Sequence, residues 1–154
     1  MISQILWAVL LSMLPVSELR GGIPFAILGG INPVLAFLSC VLANILVIFL
    51  IIGFLDFLHV HFLKISLYRK IFSFFLARIR KKTDLIEEKL PLYGYFALTI
   101  FVAIPLPITG AWTASLIAWI LDLDRRKSIL AISLGVIIAG IAVTLTTLGI
   151  NSIF

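Results

Sequence analysis

From Met1 to Leu55 the charged side chains are Glu18 and Arg20, and both fall inside Leu14-Pro15-Val16-Ser17-Glu18-Leu19-Arg20-Gly21-Gly22-Ile23-Pro24. A charge in a bilayer costs roughly 2.5–3.5 kcal/mol even on lenient scales, so it is paired or faces a wet cavity and is a functional candidate by default. Two prolines and two glycines surround the pair, a composition that breaks a helix. Broken backbone at membrane depth is tolerated only where it is buried in protein or lines a cavity. Residues 14–24 therefore read as half of a substrate site, with Pro15 and Pro24 breaking the helix. The other half falls at Pro105-Leu106-Pro107-Ile108-Thr109-Gly110-Ala111-Trp112-Thr113, where Pro105 and Pro107 interrupt a second apolar run.

Of the 154 residues, 62% are hydrophobic and 12% charged, where a soluble domain has about 25% charged. That excludes an ordinary soluble domain and makes this an all-α integral membrane protein forming one membrane domain. The net charge of +5 is concentrated where a membrane protein meets anionic headgroups, so membrane lipids are the expected partners and nucleic acid is not. Cys40, the one cysteine, lies in an apolar stretch and reads as packing. No metal-ligand cluster is present in the sequence, and no cofactor is expected. The first segment lacks the basic region of a secretory signal and is taken as mature structure.

Residues 1–31 are too interrupted to give the roughly 20 consecutive apolar residues of a spanning helix. They read as a re-entrant hairpin that turns near Pro15 and exits by Gly29-Gly30. Asn32-Pro33 gives an N-cap followed by proline at the first helical position, and residues 33–55 follow as a spanning helix. Residues 56–90 are amphipathic: Arg69, Lys70, Arg80 and Lys81 share one side of a helical wheel opposite aromatic and aliphatic residues, a pattern for an interfacial helix. Asp84 and Glu87 resemble a capping box, and His59 and His61 read as interfacial. Residues 91–121 form a second interrupted apolar run, and 126–149 a second spanning helix ended by Gly149 and Asn151. Ala131, Gly135 and Ala139 give that helix a small-residue face for close packing.

If residues 91–121 crossed the membrane, the basic groups of 56–90 and Arg125-Arg126-Lys127 would lie on opposite sides, against the positive-inside tendency. A second re-entrant hairpin places both in the cytoplasm and both termini outside a multi-pass cytoplasmic-membrane protein. Sliding the chain by 92 residues superposes Pro15-Val16-Ser17 on Pro107-Ile108-Thr109 and Asn32-Pro33 on Asp124-Arg125. The predicted architecture is an inverted repeat of two re-entrant hairpins, each followed by a transmembrane helix, with the interfacial helix between the halves. Such repeats place a substrate site at the midplane.

Ser17 and Thr109 are placed to cap the second half-helix of each hairpin, so that two N-terminal ends face one another and favour an anion. Arg20 adds a charged donor for a carboxylate or phosphate. Glu18 is its neutralising partner, or a carboxylate that takes up a proton on losing water, or one member of an ion pair that only locks the hairpin tip. The candidate substrate-binding set is Ser17, Glu18, Arg20, Gly21, Thr109, Gly110, Trp112 and Thr113. No nucleophile stands with a base and no phosphate loop is present, so the chain is not expected to be an enzyme.

Pro15-Val-Ser-Glu-Leu-Arg-Gly-Gly-Ile-Pro24 and Pro105-Leu-Pro-Ile-Thr-Gly-Ala-Trp112 resemble the small multi-drug export protein family over nearly the whole chain. That family is similar in layout to the DedA, or SNARE-associated Golgi (VTT), superfamily, whose members are thought to carry facing re-entrant hairpins and to move lipids or lipid-linked phosphates. The resemblance implies an inverted-repeat transporter or lipid translocator with Glu18 and Arg20 at the first hairpin tip. The chain departs from the DedA pattern in having no charged residue in the second hairpin. The expected function is alternating-access movement of an amphipathic small molecule or lipid-linked anion, with proton coupling through Glu18, in a homodimer. The alternative is a membrane scaffold that organises lipid without transport.

Overall fold

Each break in the apolar chain has a chemical cause. The computed structural model describes residues 2–62, 90–105 and 110–151. Among them run α1 (Ile2–Met13), α2 (Glu18–Leu28), α3 (Pro33–Phe62), α4 (Leu90–Ala103), α5 (Ala111–Ile120) and α6 (Arg125–Asn151). The expected interfacial helix and the Asp84–Glu87 capping box lie outside the described residues, as do Pro107 and Thr109. Helix α1 stops because Pro15 has no N–H to give to the Leu11 carbonyl; the Ser17 hydroxyl donates to that carbonyl instead. Helix α3 starts where Asn32 Oδ1 accepts from the backbone N–H of Val34 at 2.9 Å, as the Asn-Pro signal predicts.

Three expectations about the breaks need correction. Pro24 does not end a helix; it lies inside α2, where Gly21 and Gly22 also belong to regular helix. Helix α3 does not stop at Leu55 but continues to Phe62, because Asp56 is no end signal: its carboxylate pairs with Arg125 and accepts from the Trp119 indole at 3.0 Å. Gly149 does not end α6, which runs through it to Asn151.

The short helices pair as antiparallel hairpins. Gly22 of α2 packs so closely on α1 that an added Cβ would meet the Ala8 carbonyl oxygen at 2.6 Å, and Gly29 lies beside Gln4. In the second half the Tyr95 hydroxyl, near the start of α4, accepts from the backbone N–H of Asp124 beyond the end of α5 at 3.0 Å. Each long helix runs parallel to the first helix of its own hairpin. Cys40 Sγ sits 3.9 Å from the Ala8 carbonyl, and Thr99 Oγ1 donates to the Ala131 carbonyl at 3.0 Å. The two long helices are antiparallel to one another, since Gly140 meets Phe37 and Val41 while Arg125 at the other end meets Asp56.

The turns that lead into α3 and α6 repeat one another bond for bond. Gly29, Gly30 and Ile31 donate to Phe25, Ile27 and Ala26; Leu121, Asp122 and Leu123 donate to Ile117, Trp119 and Ala118. Gly30 and Asp122, each the middle residue, both have positive φ, +84° and +53°. Corresponding residues stand 92 apart, and the same interval relates the first bonds of the long helices, Ala36 to Asn32 and Ser128 to Asp124.

Small residues set the packing. Ala8, Ala26, Ala36, Cys40 and Ala114 are fully buried alongside Ile23, Ile48 and Ile132, while Leu42, Leu46, Phe49, Leu50, Leu130, Leu134 and Leu145 face outward. Inside a bilayer, lipid tails are as apolar as leucine, so close approach rather than hydrophobic burial holds helices together. The α3 segment Pro33–Leu58 and the α6 segment Arg125–Ile150 are long and apolar enough to cross a membrane. The small-residue face of α6 is used: Ala131, Gly135 and Ala139 are buried, and a Cβ at Gly135 would meet the Thr99 carbonyl and Val102 Cβ at 2.7 Å. A Gly135→Val substitution is expected to cost about 1–3 kcal/mol, read as a fall in Tm in detergent, whereas Gly53→Ala, with open space around it, should match or exceed the wild-type Tm. Equal melting of the two variants would show that α4 and α6 are not closely apposed.

Candidate functional site

The tips of the two hairpins meet, and Glu18 makes the meeting. It is the first residue of α2, held at φ +46°, a left-handed conformation that a side chain adopts at a cost of roughly 1–2 kcal/mol. Its side chain leaves its own helix and reaches the start of α5. There Glu18 Oε1 accepts from the backbone N–H of Trp112 at 3.5 Å, and the carboxylate lies against Gly110, where any Cβ would overlap it. Glu18 is only 8% exposed. It brings a carboxylate to the positive end of a helix, at the N-cap position of which Gly110 has no side chain to offer.

Trp112 also completes the opposite helix end. Its indole Nε1 donates to the Met13 carbonyl at 3.0 Å, one of the C-terminal carbonyls of α1 that lack an intrahelical donor. One residue of the second hairpin thus gives its backbone N–H to Glu18 and its side-chain N–H to Met13. The ends of α1 and α5 are joined through Trp112.

The predicted residues separate into two groups. Glu18, Gly110 and Trp112 come together as described, with Thr113 partly buried one position further along α5. Arg20 instead looks onto a cavity of about 340 Å³ bounded by Pro24 and Leu28 of α2, Pro105 after α4, and Val143, Thr146, Thr147 and Ile150 of α6. Its walls are apolar apart from the guanidinium and the two threonines, whose hydroxyls donate to carbonyls of their own helix. Glu18 and Arg20 remain near enough to influence one another electrostatically.

Two expectations change. Ser17 does not cap α2: it stands at the N-cap position without a side-chain capping bond, because its hydroxyl is engaged by Leu11. Gly21 packs against the Ser17 side chain, 2.7 Å from an added Cβ, and supports the tip. The anion at the start of α5 is the protein's own carboxylate. Pro15 lies in the turn between α1 and α2, and Pro105 just beyond α4.

Sequence reasoning missed the cluster of Asp56, Trp119 and Arg125, which ties α3, α5 and the start of α6 together. The signal was present: Asp56 is an acidic residue after a long uncharged stretch, and an arginine opens α6 against the helix dipole, which needs acidic partners such as Asp56 and Asp124. Among the described residues, no group of three or more His, Cys, Asp or Glu is arranged to hold a metal ion.

No curated protein and no solved structure matches the chain. A family profile described as "Putative small multi-drug export protein" matches residues 18–142, which begins at the tip carboxylate, takes in α3 and the first two thirds of α6 and covers most of the sequence; the chain belongs to that family.

Proposed function

We propose that the protein is a transporter of the cytoplasmic membrane that moves an amphipathic small molecule or lipid-linked anion by alternating access between its two hairpins. The observation that carries this reading is the tip-to-tip meeting of broken helices at Glu18, Gly110 and Trp112. Helices α1 and α5, at about 1.5 Å per residue, reach only about 18 and 15 Å, so each covers roughly half of a 30 Å hydrocarbon core. A hairpin of that depth that enters from one face and stops against its counterpart is re-entrant. The turn repeated at an interval of 92 residues, together with the antiparallel long helices, supports an inverted repeat with its site at the midplane. The family's name and the resemblance in layout to the DedA superfamily agree with a transport role, and movement of cargo requires no bond to be made or broken.

The basic residues 125–127 stand at the end of the molecule where α3 finishes, and both termini lie at the opposite end. With the positive-inside tendency, the termini are extracytoplasmic. Glu18, the tip carboxylate, is the candidate for coupling to protons.

The test is flux in proteoliposomes across a pH series, for wild type and Glu18→Gln, with a lipophilic cation and a long-chain alkyl phosphate as alternative cargoes. Glu18→Gln keeps the shape and the hydrogen-bond acceptor but cannot lose a proton, so its flux should become independent of pH. Equal pH profiles for both proteins would end proton coupling through Glu18. Absence of flux for every cargo from a protein that is folded in the bilayer would favour a scaffold.

A further inference from the structure

The two halves do not match at the places where cargo would enter. At the 92-residue interval Arg20 corresponds to Trp112, Pro105 to Met13, Leu28 to Ile120 and Thr147 to Leu55. Arg20, Leu28, Pro105 and Thr147 bound the 340 Å³ cavity. The counterpart set is shut: the Trp112 indole crosses to the Met13 carbonyl. The same asymmetry appears at the ends of the long helices. Asp56, Trp119 and Arg125 are joined by an ion pair and a hydrogen bond, whereas their counterparts Leu148, Ile27 and Pro33 offer no charge, and Pro33 and Leu148 line a second cavity of about 240 Å³ between α3 and α6. One end of the molecule is latched by polar contacts; at the other, beyond the contact of Gly140 with Phe37 and Val41, α3 and α6 leave the second cavity between them.

We infer that the Arg20 cavity is the cargo entrance of one of two exchanging states, and that the Asp56–Trp119–Arg125 cluster is the latch holding the opposite entrance shut. The inference rests on the transport reading, and it adds which entrance is open, what closes the other and which bonds break when they exchange. If the halves exchange conformations, Arg20 moves towards Pro105 as Trp112 leaves Met13. Release of Asp56 from Arg125 and Trp119 lets α5 swing away from α3, which opens the second entrance. Trp119 of the latch stands seven residues, about 10 Å, along α5 from Trp112, so the latch acts at the far end of that helix without touching the tips. The cost of breaking it is confined to one side of the equilibrium between states, since among the described residues no such cluster joins the other ends of α3 and α6.

Distances between nitroxide labels on cysteine pairs test the exchange, with Cys40→Ala as background because the native thiol is fully buried. One pair, Leu28→Cys with Ile150→Cys, spans the Arg20 cavity; the other, Ile120→Cys with Leu58→Cys, spans its counterpart. The first distance should be the longer in the otherwise native protein. In Asp56→Asn, and independently in Arg125→Gln, the first distance should shorten in a substantial fraction of molecules while the second lengthens. The conservative variant Asp56→Glu, which keeps a carboxylate to pair with Arg125 and to accept from the Trp119 indole, should retain the native distribution, which separates loss of the latch from general damage. Unchanged distances in both single variants, or both distances lengthening together, would overturn the inference. Flux measured on the same proteins keeps the two ideas apart: transport with fixed distances sinks the latch and leaves the transport reading intact. Exchange of distances without flux of any cargo sinks the transport reading and leaves the switch.

Discussion

Gly110→Ala is expected to lower Tm by several degrees and abolish flux, and removal of Glu18 in the same protein is expected to recover much of the stability. The methyl group of alanine at this position overlaps the Glu18 carboxylate. The backbone at Gly110 is extended, with φ −117°, so the substitution strains nothing locally, and the damage comes from what the methyl displaces. Overpacking of a filled interior costs about 1–3 kcal/mol. The displaced carboxylate also leaves the Trp112 N–H, and loss of a capping acceptor adds about 0.5–2 kcal/mol. If the carboxylate is the cause, Glu18→Ala with Gly110→Ala should be less destabilised than the sum of the single variants, with a coupling of about 0.5–3 kcal/mol. The exchange variant Glu18→Gly with Gly110→Glu carries the idea further. Positions 18 and 110 correspond at the 92-residue interval, so a carboxylate on the second hairpin should find the space vacated on the first, and glycine at position 18 accepts the positive φ without penalty. Additive single and double variants in a thermal-unfolding cycle would separate Gly110 from Glu18 and remove the carboxylate from the tip contact.

What could be read in advance was local chemistry. Asn32-Pro33 announces a helix start because an acceptor and a missing N–H act within one turn, and Asp124 behaves alike, its Oδ1 accepting from the Lys127 N–H at 2.9 Å. Glu18 and Arg20 stood out because charge in an apolar run is costly wherever the chain goes. Pro24 misled for the opposite reason. Proline lowers the odds of a helix, yet α2 holds it because Gly22 beside it packs directly on α1, and that contact is set by Ala8 and Ser12 of another helix. The continuation of α3 past Asp56 depends on Arg125, and the need for glycine at position 110 depends on Glu18. Neither pair is near in sequence. The letters at the 92-residue interval were few because what recurs in the two turns is backbone bonding, which glycine at position 30 and aspartate at position 122 satisfy equally well.

The larger loss of stability is expected from Gly22→Val. At Gly110 the obstructing group is the end of a side chain, which has some freedom to move; at Gly22 it is the Ala8 carbonyl, 2.6 Å from the site of an added Cβ, with the Ser12 hydroxyl closer still. Backbone oxygen in the middle of α1 cannot shift without breaking its helix or moving the whole of it. Ser12 is pinned as well, its hydroxyl donating to that same Ala8 carbonyl at 2.9 Å. A β-branched residue at position 22 therefore has to push α1 and α2 apart along their length, and close approach is what holds such helices together in lipid. The expected cost lies at or above the top of the roughly 1–3 kcal/mol range for overpacking. Gly29→Ala, where the nearest groups to an added Cβ are the Phe25 carbonyl at 3.0 Å and the Ala26 carbonyl and Gln4 Nε2 at 3.4 Å, should be distinctly milder. Parting of the hairpin should also free the Trp112 indole from Met13, so tryptophan fluorescence of Gly22→Val is expected to shift at temperatures where wild type is unchanged. If Gly22→Val melted with Gly29→Ala and kept the native emission, α1 would not be packed on α2 at this depth. The first hairpin could then not present Glu18 to the second.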